Sequence, residues 1–285
     1  MRTPRAVASA VAAALWYPYR AGPADRVAAW SRRSYEVFVR LARDQPDSGV
    51  RLVPGVEVFA DPAAPGPAWW GEPLPGQQDV AEPLPGRPWG RRMPLPVADT
   101  SVYLPWLARR LTEAGGTLTR MWLPHLPNGG VVVNCTGLAA RALTDDLAVH
   151  PVRGQVVRVA RDGIDEWLLD QADPHRPLYV VPRLHDVVVG GTAEQDEWSV
   201  TPDPALAADI LSRAAALVPA LATVPVLGHR AGLRPARAEV RLEARPHPDG
   251  SPGGVVHCYG HGGAGVTLSW GCADDVVAEI GTLLP

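Results

Sequence analysis

The chain has 285 residues, 46% of them hydrophobic, enough to bury one large core or two smaller ones. Its net charge of −3, with no run of basic residues, excludes the electrostatic footprint of a nucleic-acid binder, and no apolar run reaches the about 18 residues that would span a membrane. Three widely spaced cysteines, Cys135, Cys258 and Cys272, include no CxxC pair and are odd in number, which argues against a disulfide framework and for a reducing, cytoplasmic compartment.

Residues 1–15 are alanine-rich without the hydrophobic core of a signal peptide, and Thr282–Pro285 is no peroxisomal tripeptide. Ala6–Ala14 is small and apolar, and Leu15-Trp16-Tyr17-Pro18-Tyr19 then turns at the proline, an aromatic anchor at a helix end. From Asp25 to Arg43 the apolar residues Val27, Trp30, Val37, Phe38 and Leu41 keep a helical period, with Gly49 beyond the end. Val50–Phe59 alternates around Pro54-Gly55 and reads as a hairpin. Asp61–Pro96 is rich in proline and tryptophan and contains EPLPG twice, at Glu72–Gly76 and Glu82–Gly86, so a long irregular surface excursion is expected. Thr100-Ser101 can cap a helix through Leu111, with Pro105 near its start.

Thr117–Leu123 is expected to be a strand, Asn128-Gly129-Gly130 a turn, and Val131–Asn134 a continuous apolar strand of the buried parallel type. Cys135-Thr136-Gly137 then opens a short helix, and Cys135 reads as a packed small hydrophobe. Four β segments follow without helices between them, Val152–Ala160, Trp167–Asp170, Leu178–Arg183 and Asp186–Thr192, which suggests an antiparallel sheet. Asp203–Leu217 is an amphipathic helix and His229–Arg234 a strand.

The last thirty residues carry the densest signal. Val255 and Val256 read as a strand running into the glycines Gly260, Gly262, Gly263 and Gly265. Beyond them Val276, Val277, Ile280 and Leu284 recur three or four apart, as on one buried helix face. Such a junction offers free backbone N–H groups and the positive end of a helix dipole, and only glycine lets a planar ligand lie against the main chain there. A tight turn would account for the glycines equally well. Nearby, Arg234 in Gly232-Leu233-Arg234-Pro235 is a guanidinium fork of the kind that holds a planar carboxylate by two parallel hydrogen bonds. His257 and His261 lie on a strand and a glycine turn, not on one helix face, and no third ligand is near them in the sequence, so no metal is expected. No G-x-S-x-G or other nucleophile motif is present.

HCYGHGGAGVTLSWGCA, from His257 to Ala273, closely resembles the flavin-contacting C-terminal segment of the D-amino acid oxidase family. HRAGLRPARAEVRLE, from His229 to Glu243, is similar to the strand carrying that family's substrate-carboxylate arginine. VVNCTGLAARAL, from Val132 to Leu143, resembles its strand-to-helix turn beneath the cofactor, and ALWYPYR near the start completes the match in the right order. The resemblance implies an α/β protein. A discontinuous Rossmann-like FAD-binding domain would comprise residues 1–19, 100–147 and 235–285, and a mainly antiparallel substrate-binding domain residues 20–99 and 148–234.

The same resemblance assigns cofactor contacts to Ala13, Ala14, Leu15, Leu123, Gly262, Gly263, Gly265, Val266 and Thr267. Arg234 and Tyr179 would hold the substrate carboxylate, and the Gly263 carbonyl would accept a hydrogen bond from the amine. Tyr17 would face the substrate side chain, and Ala193 stands where many relatives have a second tyrosine. The implied reaction oxidises a neutral D-amino acid to a 2-oxo acid with release of ammonia and hydrogen peroxide. D-Aspartate oxidase is the rival within the class, although neither Tyr17 nor Ala193 supplies the extra cation an acidic side chain would want. Substrate and oxygen are the implied partners, and a homodimer is allowed. The family's opening strand, G-x-G-x-x-G turn and helix have no counterpart in the chain. The expectation is therefore an oxidase whose start codon lies upstream, or a non-catalytic remnant unable to hold FAD.

Overall fold

Valine fills both faces of a pleated layer well, and the valine-rich runs between residues 150 and 190 are strands accordingly. The computed structural model describes residues 8–19, 21–61, 63, 66, 68–173 and 176–284. In chain order these form α1 (Ala8–Val11), α2 (Ala24–Asp44), β1 (Val50–Val53), β2 (Gly55–Phe59), β3 (Gln78–Leu84), β4 (Arg87–Arg92), β5 (Leu95–Ala98) and α3 (Thr100–Glu113). There follow β6 (Gly130–Asn134), α4 (Ala140–Leu143), β7 (His150–Val159), β8 (Trp167–Asp170), β9 (Leu178–Pro182), β10 (Val187–Gly190) and β11 (Glu194–Gln195). The chain closes with α5 (Pro204–Leu217), β12 (Val226–Pro246), β13 (Gly253–His261) and α6 (Gly265–Leu283). This is the α/β class that the sequence implies.

Two compact units are formed, one from Met1–Trp16, Phe38–Arg109 and Arg153–Leu233, the other from Tyr17–Val37, Arg110–Val152 and Arg234–Pro285. In the first unit the strands run β3-β4-β2-β8-β9-β10-β7, antiparallel except for the parallel pair β2 and β8. Helix α5, capped by the Asp203 carboxylate on the amides of Ala205 and Leu206, lays Ala207, Ile210 and Ala214 into a core with Val157, Val159, Val180, Val187 and Val189.

In the second unit β13 lies between the C-terminal part of β12, antiparallel, and β6, parallel. Over these strands pack α6, through Leu268, Cys272, Val276 and Leu283, and the start of α2, through Val27 and Trp30. The two helices approach closely because Gly271 has no side chain. A Cβ there would lie 2.3 Å from the Trp30 Cα. The Trp30 indole donates to Asp275 at 2.7 Å, and the Ser34 hydroxyl accepts from the amides of Trp270 and Gly271.

Several expectations are corrected. Val50–Phe59 is no hairpin: a single residue, Pro54, separates β1 from β2, so the chain runs on, β1 pairing with β5 and β2 with β4 and β8. The proline-rich excursion is irregular, as expected, only up to Gln77; from Gln78 it forms β3, β4 and the start of β5, and the second EPLPG lies at the β3–β4 hairpin. Proline is tolerated there because β3 is an edge strand with a register shift between Ala81 and Leu84. Helix α3 is capped one residue earlier than expected, by Asp99, whose carboxylate accepts from the amide and hydroxyl of Ser101. Thr117–Leu123 forms no strand. No ladder partner meets it, and Leu118, Met121 and Trp122 are exposed. Strand β6 is parallel to β13 as expected but lies at a sheet edge, leaving Val133 exposed instead of buried. On α6 the buried face runs through Val276 and Leu283, while Val277 and Leu284 face outward. The start of Ala6–Ala14 and two residues of the short segment before Tyr179, Pro174 and His175, lie outside the described residues.

A buried ion cluster closes the turn between β9 and β10. Arg183 holds Asp186 with two hydrogen bonds of 2.7 Å, and Arg158 holds it from the neighbouring strand. Burial by itself raises the Asp186 carboxyl, but the hydrogen bonds and charges of Arg183 and Arg158 outweigh it and hold the group below its ordinary value. The stability it contributes is therefore complete above an unfolded value of about 3.9 and is lost as pH falls through the folded one. Asp186→Asn should cost about 3–5 kcal/mol at neutral pH, because it removes the carboxylate that Arg158 and Arg183 share and leaves Arg183 only the more distant Asp99, at 3.9 Å. Its urea midpoints between pH 7 and pH 2 should also fall less steeply than those of the parent. Parallel profiles would show that the carboxylate titrates as in the unfolded chain.

Candidate functional site

The junction of β13 and α6 is built from backbone. Gly262 takes a left-handed conformation, φ +55°, and its amide donates to the Pro235 carbonyl at 2.8 Å, tying the turn to β12. The Gly263 amide donates to the Tyr19 carbonyl at 3.0 Å. Thr267, buried one turn into α6, is bonded twice to Tyr17: its hydroxyl accepts from the Tyr17 amide at 3.1 Å and donates to the Tyr17 carbonyl at 3.0 Å. The segment Tyr17–Tyr19 is thereby laced along the helix start.

Helix α6 begins without a side-chain cap at Ala264 and with no acidic residue in its first turn, while Gly265 is exposed. The first-turn amides of such a helix have no partner within it, and the dipole makes that end electropositive.

Arg234 stands on β12 with its guanidinium 5.5 Å from the centre of the Tyr19 ring. The same ring abuts Gly263, where a Cβ would lie 2.6 Å from Tyr19 Cδ1. The structure thus brings Arg234 and Gly263 to one aromatic side chain, with the guanidinium in cation–π range of the ring. Tyr19 was missed by sequence reasoning, which saw only an anchor in the aromatic stretch. Its signal was a ring placed directly after Pro18, in a segment already expected to pass the cofactor.

The remaining expected residues lie in the other unit, except Leu123 and Val266. Ala14 adopts φ +55° and accepts at its carbonyl from Ala98, Leu15 bridges to Val97, and Ala13 packs on Val11, Val156 and Val188. Tyr179 packs on that same apolar cluster. Opposite it in register is Gly190, whose missing side chain admits the tyrosine ring: a Cβ there would lie 2.1 Å from Tyr179 Cζ. Leu123 is half-buried in irregular chain. Val266 is half-buried on the first turn of α6.

Two imidazoles flank the turn. Burial, with Arg241 next in weight, pushes His257 down to about 4, and burial pushes His261 down to about 4, so both are neutral at neutral pH. His257 contacts the Asn134 amide across the β13–β6 pair. His261 keeps different company. Its Nε2 is 3.7 Å from Cys258 Sγ, and Cys258, His261 and Cys272 have donor atoms all within 4.8 Å of one another. Sequence reasoning looked for a third ligand near the histidines along the chain and therefore missed Cys272, which arrives from the second turn of α6.

The sequence profile of the FAD dependent oxidoreductase family matches residues 2–279. This chain belongs to the D-amino acid oxidase family. It is 50% identical, over 99% of its own length and 87% of the relative's, to the D-amino-acid oxidase of Rubrobacter xylanophilus. With the D-amino-acid oxidase of Streptomyces coelicolor it shares 46% identity over 94% of this chain and 83% of that one. The human D-aspartate oxidase is more distant, at 33% over 93% and 81%. In fold it is similar to the glycine oxidase of Geobacillus kaustophilus, with a TM-score of 0.79 at 18% identity over 98% of this chain and 86% of that structure.

FAD is the cofactor of the family, and the helix start fits it. An exposed, uncapped N-terminus behind a glycine turn presents donors and positive potential to an electron-rich group. The Thr267 hydroxyl is what holds Tyr17–Tyr19 against that helix. Thr267→Val should destabilise the fold by about 1–3 kcal/mol, since it strands a backbone amide and a carbonyl, and Thr267→Ser should recover most of the loss. Urea unfolding of the three proteins measures this, and equal midpoints would remove the hydroxyl from the account.

Proposed function

We propose that the protein oxidises neutral D-amino acids to 2-oxo acids, releasing ammonia and hydrogen peroxide, with FAD as cofactor. The observation that carries this reading is the meeting of Arg234 and Gly263 on the Tyr19 ring beside the open start of α6. The relatives named D-amino-acid oxidase support it, being more similar to this chain than the human D-aspartate oxidase is.

In this reading the Arg234 fork takes the substrate α-carboxylate by paired charge-assisted hydrogen bonds, which fix orientation as well as charge. Tyr179 donates its hydroxyl to the same carboxylate. The Gly263 carbonyl accepts from the α-amine, so that two points of the amino acid are held and the α-hydrogen has one direction to face. FAD, when bound, accepts a hydride from the α-carbon and delivers its electrons to oxygen. No side-chain base is needed if the amine enters unprotonated, and orientation supplies most of the rate. Tyr17 and Ala193 bear on the side chain the site accepts, and neither offers an acidic side chain a cation. Three free cysteines accord with a cytoplasmic setting, and among the described residues no helix is long and apolar enough to cross a membrane.

The purified chain should carry flavin absorbance and release peroxide with D-alanine, more slowly with D-aspartate, and not with L-alanine. A colourless protein that gives no peroxide when FAD is added would defeat the reading. Arg234→Met should lower kcat/KM for D-alanine by about 2–5 kcal/mol, roughly 30- to 4,000-fold, with the flavin content retained. Tyr179→Phe should cost roughly 10- to 150-fold, one hydrogen bond to a charged group. Parent-like kinetics in Arg234→Met would locate the carboxylate elsewhere.

A further inference from the structure

A cluster of soft donors lies at the turn that precedes α6, outside every role given above. Cys258 comes from β13, His261 from the end of that strand, and Cys272 from the second turn of α6, with all three donor atoms inside 4.8 Å. Cys258 and Cys272 are buried, and the cluster contains no carboxylate.

A third sulfur adjoins it. Strand β6 pairs in parallel with β13 as far as Asn134 opposite His257, so the next residues along, Cys135 and Cys258, are neighbours. The Cys135 thiol is exposed and lies beside Cys258, outside the group whose donor atoms are all within 4.8 Å of one another. Two thiols and one imidazole thus converge from β13 and α6, with a third thiol just beyond the end of β6 beside them.

We propose that Cys258, His261 and Cys272, with Cys135 as fourth donor, form a binding site for a thiophilic divalent ion of the zinc type.

The donor set selects the ion. Sulfur and imidazole without oxygen disfavour calcium and magnesium and suit zinc. The spacing is close to what tetrahedral zinc requires. With bonds of about 2.3 Å to sulfur and about 2.0 Å to nitrogen, sulfur and nitrogen ligands sit about 3.5 Å apart. Cys258 Sγ and His261 Nε2 are 3.7 Å apart, close to that spacing, and the Cys272 thiol lies within 4.8 Å of both. The imidazole is available as a ligand because burial keeps it neutral. Metal binding would displace the thiol protons to solvent as the metal–sulfur bonds form. The ion would clamp the glycine turn to α6 and to the end of β6. This inference does not rest on the FAD reading, since all four donors belong to the chain.

Titration of the full chain with Co²⁺ under a non-thiol reductant tests it. The expected result is a thiolate-to-cobalt absorption band in the near ultraviolet with visible d–d bands of a tetrahedral ion. These should saturate at a single ion per chain and be displaced by Zn²⁺. Cys258→Ser and Cys272→Ser should abolish the band. Because both side chains are buried, His261→Asn provides a second route: it should shift the d–d bands and weaken binding in a chain whose circular dichroism is unchanged. His257→Gln should bind like the parent. A folded parent chain that shows no thiolate band would overturn the proposal, leaving the cysteines as packing residues. So would a band that persists unchanged in His261→Asn and in both serine variants.

Discussion

Four main-chain hydrogen-bonding groups at one strand-to-helix junction organise the second unit. The Gly262 amide is committed to β12, the Gly263 amide to Tyr19, and both polar groups of Tyr17 to the Thr267 hydroxyl. A buried amide without a partner costs about as much as the hydrogen bond it forgoes, so each link fixes a segment that would otherwise have to find water. Because the partners come from residues 17–19, 235 and 262–267, the junction assembles only when strands and helix are already in place. It holds Arg234, Gly263 and the α6 N-terminus in fixed relation.

The chemistry follows from what those links leave over. With the turn's amides used for structure, the helix start is left without a cap, and its positive end becomes the feature a flavin can exploit. Arg234 has its guanidinium within cation–π range of the Tyr19 ring, on the same side chain that abuts Gly263. In the first unit several arginines are tied up in the fold. Arg183 and Arg158 both engage Asp186, and Arg153 spends its donors on Gln155, Glu194 and the carbonyls of Ser199 and Thr201. Arginines so satisfied serve the fold.

The soft-donor cluster and the flavin reading share one stretch of chain without competing for atoms. The first draws on the side chains of Cys258, His261 and Cys272, the second on the backbone of Gly262–Gly265 and the start of α6. A strand, a turn and a helix meeting at glycines can present side chains to the interior and main chain to the outside. That is a consequence of the alternation in β13 and the tight approach at the turn.

Read alone, the sequence determined the elements whose apolar period is strong: α2, α5, α6 and the valine-rich strands of the first unit. It also determined the family, because HCYGHGGAGVTLSWGCA is a local pattern whose meaning does not depend on distant residues. Tertiary structure decided what covers each apolar face. It separated β1 from β2 and gave each a different partner, turned the second EPLPG into an edge hairpin, and left Thr117–Leu123 without a strand to pair with. It also brought Tyr19 to Arg234 and Gly263, and Cys272 to His261. The physical reason is the same in each case. Periodicity states that a face must be buried, while the identity of the group that buries it is a property of residues tens to hundreds of positions away, fixed only when the chain closes on itself.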